Sequence, residues 1–231
     1  MSSEAQEMKF LRTEYSRSFW SEFSREPFQN EVLEIGMRNT KGGLWIIGGF
    51  VSKLVARSLY DFPKSWNPID IDFIADEIAP HQDPYVPNGW AMRFTSWGNP
   101  YLEKGDLRVE LNGLTNYVPL KERRIADPKI SHLLQIAPLD IQSIAVDTQR
   151  KSLEGELGIN AIRRKEVKVN DWRSLGQVVE VSGRDSTKVN LEEFVRRKSD
   201  GIGFNYKFDF PPEISGGSGN GLRAPHLGSY V

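Results

Sequence analysis

Between Leu44 and Asp76 the chain runs from a short apolar stretch, Leu44 to Ile47, through Gly48-Gly49 into a segment of helical periodicity, then on to a second apolar stretch carrying Asp70 and Asp72. No other part of the sequence restricts the fold as much. Leu44 to Ile47 has the length and composition of a buried strand. From Phe50 to Leu59, Val51, Leu54, Val55 and Leu59 share one helical face, with Ser52, Lys53 and Arg57 opposite. In Ile69 to Ile74, Ile69, Ile71 and Phe73 alternate with Asp70 and Asp72. Strand, glycine turn, helix and strand in that order predict an α/β (α+β) domain with a small mixed sheet flanked by helices.

The remaining chain is read around this unit. Tyr15, Phe19 and Phe23 recur every fourth residue and form one face of an N-terminal helix. Glu31 to Arg38 reads as a helix ended by Lys41-Gly42-Gly43. Asp76 to Trp90 is proline-rich and reads as an extended excursion, Ala91 to Trp97 as a strand. Asp106 to Asn112 alternates Leu107, Val109 and Leu111 against Arg108, Glu110 and Asn112, and Asn112-Gly113 predicts a hairpin with Leu114 to Leu120 returning. Pro128 to Ile136 reads as a short helix, Ile159 to Val169 as helix or strand. Asn190 to Ser199 reads as a helix capped by Asn190. The expected organisation is an N-terminal polar and aromatic extension (1–26), a core (27–170), a helical appendage (171–210) and a disordered tail (211–231) rich in Pro, Gly and Ser.

The opening unit carries chemistry. Alternate strand residues share a face, which puts the Asp70 and Asp72 Cα atoms roughly 6.5–7 Å apart. Carboxylates at that spacing can share a hard divalent cation. A strand entering Gly-Gly and then a helix turns backbone N–H groups and the positive helix end outward, and glycine lets phosphate oxygens approach closely. Ser52 and Lys53 in the first turn offer a hydroxyl and a charge. Together these features make a phosphate cradle beside a metal-binding strand.

IIGGFVSKL followed by IDIDFIA resembles the signature of the polymerase-β-type nucleotidyltransferase superfamily, and most resembles the head domain of tRNA nucleotidyltransferases and bacterial poly(A) polymerases. Pro138 to Asp147, PLDIQSIAVD, is similar to a later family motif, DFTINALAYD, through Ile141, Ile144, Ala145 and Asp147. The family's leading Arg-Asp falls on Ala137 and Pro138, and its early helical arginine on Ser52. The resemblance spans roughly residues 30–170. It implies a nucleotidyltransferase-like fold, Mg²⁺ (or Mn²⁺) held by the catalytic Asp70 and Asp72, and nucleotide binding by Gly48, Gly49, Ser52 and Lys53. The implied reaction transfers a nucleoside monophosphate from an NTP and releases pyrophosphate; the acceptor stays open between an RNA 3′ end, a protein hydroxyl and a small molecule. The family's third carboxylate has two candidate positions here, Asn116 on the expected returning strand and the catalytic candidate Glu110 before it. An amide cannot serve as a base. Two readings therefore stay open: an active enzyme, or a related domain that binds nucleotide, RNA or protein without turnover. Lys53 or Arg57 is the expected neutraliser of phosphate charge.

Composition narrows the partners. A net charge of −1 gives no global field for steering onto nucleic acid. Without cysteine there is no thiol catalysis or disulfide. His81, His132 and His226 are scattered without metal-ligand spacing. SGGSGNG fails as a nucleophile elbow, and Gly201-x-Gly203 fails as a dinucleotide fingerprint at Tyr206. No apolar run approaches the roughly 20 residues of a membrane span, and the polar start MSSEAQEMKF lacks a signal core, so a cytoplasmic location is expected.

Overall fold

The computed structural model describes residues 3–60, 69–79, 84–95 and 98–210. The tail expected over 211–231 lies outside the described residues, as do His81, His226 and most of the loop after Tyr60. Helices α1 (Ser3–Phe23) and α2 (Gln29–Arg38) precede β1 (Thr40–Ile47), α3 (Gly49–Tyr60) and β2 (Ile69–Ile78). β3 (Ala91–Phe94), β4 (Pro100–Lys104) and β5 (Leu107–Gly113) follow, then α4 (Val118–Glu122) and α5 (Ile130–Gln135). β6 (Ala145–Asp147), β7 (Ser152–Glu154), α6 (Glu156–Arg164), β8 (Glu166–Lys168), α7 (Trp172–Val181), α8 (Lys188–Asp200) and β9 (Asn205–Lys207) complete the order.

Seven strands form one mixed sheet in the order β3-β4-β5-β2-β1-β6-β7, with β8 and β9 pairing separately. Only β2 and β5 are parallel within the large sheet. This is the expected mixed α+β architecture. Alternation along the strands divides the apolar residues between two faces. Leu44 and Ile46 of β1 and Ile71 and Phe73 of β2 join the main core with α1, α2, α3, α6, α7 and α8. Ile47 and Ile74 point the other way, into a smaller cluster with Leu120 of α4 and Leu133 of α5. The site lies on this second face, where helical cover is thinner.

The aromatic face of α1 is part of the main core: Phe19 and Phe23 are fully buried and meet Phe50 of α3 edge-on. Arg57 of α3 reaches back to Glu22 and Glu26, each at 2.7 Å. Among the described residues no helix is long and apolar enough to cross a membrane.

Several local expectations are corrected. Lys41-Gly42-Gly43 does not end a helix but forms an irregularity inside β1, where the Gly43 N–H donates to the Asp76 carboxylate at 2.6 Å. β2 continues to Ile78, into the expected excursion. Asn112-Gly113 makes no hairpin. Both neighbours of β5 are already taken by β2 and β4, and Pro119 in the first turn of α4 suits a helix start and cannot donate to a ladder. The real hairpin joins β4, which was not anticipated, to β5. The ambiguous 159–169 stretch splits into α6 and β8 at Lys165, whose backbone is left-handed at φ 52°. α8 is capped by Thr187, whose hydroxyl accepts from the Asn190 N–H, and not by Asn190 itself.

Candidate active site

The turn after β1 is fixed from two sides. Gly48 has φ 71°, a left-handed conformation that favours glycine, and its N–H donates to the Ile144 carbonyl at 3.1 Å. A Cβ at this position would lie 4.0 Å from Asp72 Oδ2, so turn and carboxylate face each other at contact range. Gly49 opens α3, and a Cβ there would meet nothing within 4 Å. Open space thus adjoins a helix start, where first-turn N–H groups lack intrahelical acceptors and the dipole is positive. Ser52 is buried, and its hydroxyl donates to the Gly49 carbonyl at 3.1 Å and, more weakly, to that of Gly48 at 3.4 Å. The hydroxyl is used inside the turn. Lys53 is half-buried; burial and the nearby Lys198 of α8 pull its pKa down while Asp70 opposes them.

The parallel pairing of β2 with β5 assembles the acidic face. Asp70 lies opposite Arg108 and Asp72 opposite Glu110, in a register that places all four on one side of the sheet. On its other edge Asp72 pairs with Ile47, the last residue of β1. Asp70 is exposed, Asp72 half-buried, and Glu110 more covered at 19% side-chain exposure. Burial raises the Asp72 pKa, and repulsion from Asp70 and Glu110 adds to it. Glu110 is also raised, by burial and by Asp70, against the opposing pull of Arg108 and Asn112. Both acids thus hold a proton more tightly than an ordinary carboxyl, through burial first and the like charges on this face second. Asn116, the alternative third position, is exposed on a 3₁₀ turn (Leu114–Asn116) and on no strand.

Arg108, which sequence reasoning placed on the polar face without a role, joins the cluster. Its Nη2 is 3.0 Å from Glu110 Oε2, its Nε is 3.8 Å from Asp70 Oδ1, and its guanidinium stacks on Tyr101 of β4 at 4.0 Å. Asn112 steadies β5 by donating to the Phe73 carbonyl at 3.4 Å and accepting from Asn99 at 2.6 Å. Beside the acids a cavity of about 170 Å³ is lined by Gly48, Asp72, Glu110, Tyr117, Gln142 and Gln177, among others. Among the described residues the buried Gln142 and Gln177 side-chain oxygens have no hydrogen-bond partner, while the Gln177 amide donates to Glu122. Burial, Asp72 and Glu110 together push the Tyr117 phenol up. The signal for these residues lay in long-range register and in a pocket made by five separate segments, neither visible in a local pattern.

Other expected residues have structural duties. Arg57 is held by Glu22 and Glu26. In the later motif, Asp140 accepts from the Ile141 and Lys168 N–H groups and pairs with Arg164, and Asp147 accepts from the Gln149 and Arg150 N–H groups. His132 accepts from the Lys129 N–H.

Asp70, Asp72 and Glu110 suit a hard divalent cation in donor type, charge and strand position, and a cation on this face would relieve the repulsion described above. Among the described residues no three such side chains are gathered closely enough to hold an ion as they stand.

The chain is similar to tRNA nucleotidyltransferases. A CCA-adding enzyme in complex with ATP matches at 14% identity and a TM-score of 0.46, over 79% of this chain and 40% of that one. A Thermotoga maritima CCA-adding enzyme complexed with tRNA matches at 13% and 0.45, over 80% and 46%. A tRNA nucleotidyltransferase complexed with a primer tRNA and an incoming ATP analog matches at 15% and 0.39, over 70% and 47%. The chain spans less than half the length of each. No family model and no curated protein matches it.

Proposed function

We propose that this chain is a metal-dependent nucleotidyltransferase, moving a nucleoside monophosphate from an NTP to an acceptor hydroxyl on RNA or protein. The observation that carries this reading is the left-handed Gly48 turn at the start of α3, facing Asp72 at contact range with Asp70 and Glu110 on the same sheet face. A Mg²⁺ or Mn²⁺ ion held by Asp70 and Asp72 would supply Lewis-acid polarisation of the α-phosphate and neutralise charge on the leaving oxygen. The first-turn N–H groups of α3 bind the triphosphate, and Lys53 adds positive charge from the same helix. The cavity between Tyr117, Gln142 and Gln177 receives the nucleoside, whose polar edges find the two unpaired carboxamide oxygens.

Glu110 takes the proton of the attacking hydroxyl. Its raised pKa makes it a better base than an ordinary surface glutamate. The hydroxyl oxygen bonds to the α-phosphorus, the bond from that phosphorus to the bridging oxygen breaks, and pyrophosphate leaves. The test is incubation of the chain with each labelled NTP, Mg²⁺ or Mn²⁺, and RNA or protein acceptors, with Asp70→Asn/Asp72→Asn in parallel. Label transfer by wild type alone is expected. Transfer that survives the double substitution refutes the proposal. Metal-dependent nucleotide binding without transfer, lost in the same variant, turns the reading to a binding domain without turnover.

A further inference from the structure

We infer that Arg108 is the resident counter-cation of the carboxylate face, a group that a divalent ion must displace from Glu110 and Asp70 before it can bind. The inference rests on the reading proposed above, in which Asp70 and Asp72 hold a divalent ion beside Glu110. Strand register places Arg108 directly beside Asp70 and two residues before Glu110, on the same side of the sheet as both. Its guanidinium therefore lies where an ion shared by those acids would need their oxygens. Among the described residues the acids do not converge into a ready cage, and one oxygen of Glu110 is turned to Arg108 Nη2 at 3.0 Å.

The grip of Arg108 is incomplete. Its Nε is buried yet has no hydrogen-bond partner among the described residues, and the Asp70 oxygen at 3.8 Å is beyond hydrogen-bond range. One hydrogen bond to Glu110 and the stack on Tyr101 hold it. Rotation of the guanidinium over the Tyr101 ring can release Glu110 while keeping the cation–π contact. An incoming divalent cation therefore competes with the guanidinium for the same Glu110 oxygen. Metal-free, the face is kept partly neutral by Arg108; with the ion bound, the guanidinium is freed from Glu110.

The experiment is Mn²⁺ titration of the full chain, followed by the electron paramagnetic resonance of free Mn²⁺. It compares wild type, Arg108→Gln, Arg108→Lys and Asp72→Asn, each first checked for cooperative thermal unfolding. Arg108→Gln is expected to bind Mn²⁺ about tenfold more tightly than wild type, with Arg108→Lys between them, since lysine keeps the charge but loses the planar stack. Binding by Arg108→Gln equal to or weaker than wild type, with wild-type binding abolished by Asp72→Asn, overturns the role of Arg108 and leaves the metal site standing. Mn²⁺ uptake that is insensitive to Asp72→Asn overturns the metal reading itself.

Discussion

Gly49→Ala separates what the fold requires of the glycine turn from what a phosphate would require. Gly49 is the first residue of α3, its backbone is not left-handed, and a Cβ would meet nothing within 4 Å. Packing therefore gives alanine no penalty, and replacing glycine at a compatible helical position is worth about 0.4–1 kcal/mol in its favour. For a domain of this size that raises Tm by about 1–4 °C. Gly48→Ala provides the contrast. At φ 71° a side chain costs about 1–2 kcal/mol in backbone strain, although its Cβ would only touch Asp72 at ordinary contact distance. Its Tm should fall by about 2–8 °C. A methyl group at Gly49 stands where a phosphate oxygen would approach the first-turn N–H groups. Loss of one charge-assisted hydrogen bond there costs about 1.5–3 kcal/mol, or roughly 10–100-fold in NTP affinity. Differential scanning calorimetry without nucleotide, paired with calorimetric NTP titration, reads both effects. A Gly49→Ala protein that is stable and binds NTP as wild type does would refute the phosphate cradle. One as destabilised as Gly48→Ala would refute the backbone argument.

Further outcomes follow from the same contacts. Asp72 holds its proton more tightly when folded, with a pKa up to about 8, than when unfolded near 3.8, so the folded state binds more protons in that window. Metal-free Tm is therefore expected to fall as pH rises from about 5 to 8, with the slope flattened in Asp72→Asn; equal slopes in the two proteins would contradict the burial and like charge that raise Asp72. Arg57→Ala removes the α3 partner of Glu26 and leaves Glu22 with Arg25, and the lost charge-assisted bonds should cost about 1.5–3 kcal/mol in urea unfolding. Its folded fraction should keep wild-type NTP affinity, and a drop in affinity would return Arg57 to the phosphates. Phe19→Ala, removing a fully buried ring between α1 and α3, should cost about 3–5 kcal/mol in the same assay; a change below 1 kcal/mol would show α1 to be dispensable to the core.

What could be read in the sequence was what lay close together along it. The Gly48-Gly49 turn and the Asp70/Asp72 strand are local patterns about twenty residues apart, and both elements formed where alternation and helical spacing placed them. The helical face of Tyr15, Phe19 and Phe23 was visible for the same reason. The position of Glu110 was not, because it depends on a parallel pairing of β2 with β5 that skips two strands in between. Asn112-Gly113 misled because a turn signal says nothing of whether a sheet edge is free. Here β4 had already taken that edge, and the Asn112 amide was committed to Phe73 and Asn99. β4 itself, starting at a proline and only five residues long, left too weak an alternation to detect. Arg108 was recognisable as a polar-face residue, but its meaning came only with Asp70 beside it.

The bond from the Gly48 N–H to the Ile144 carbonyl has a consequence for the order in which the molecule is made. β1 is a central strand whose second neighbour, β6, lies about a hundred residues further along, and Thr148 closes the same seam by donating to the Leu44 carbonyl at 2.9 Å. During synthesis the helix and both aspartates emerge early, yet the turn between them stays unlatched until the chain beyond Thr148 has left the ribosome. Contacts of such long sequence separation are slow to close, because loop entropy is spent before they reward it. The local chemistry is written first, and its geometry is set late. A nascent chain halted before residue 148 would carry every acid of the site and no firm place for a phosphate.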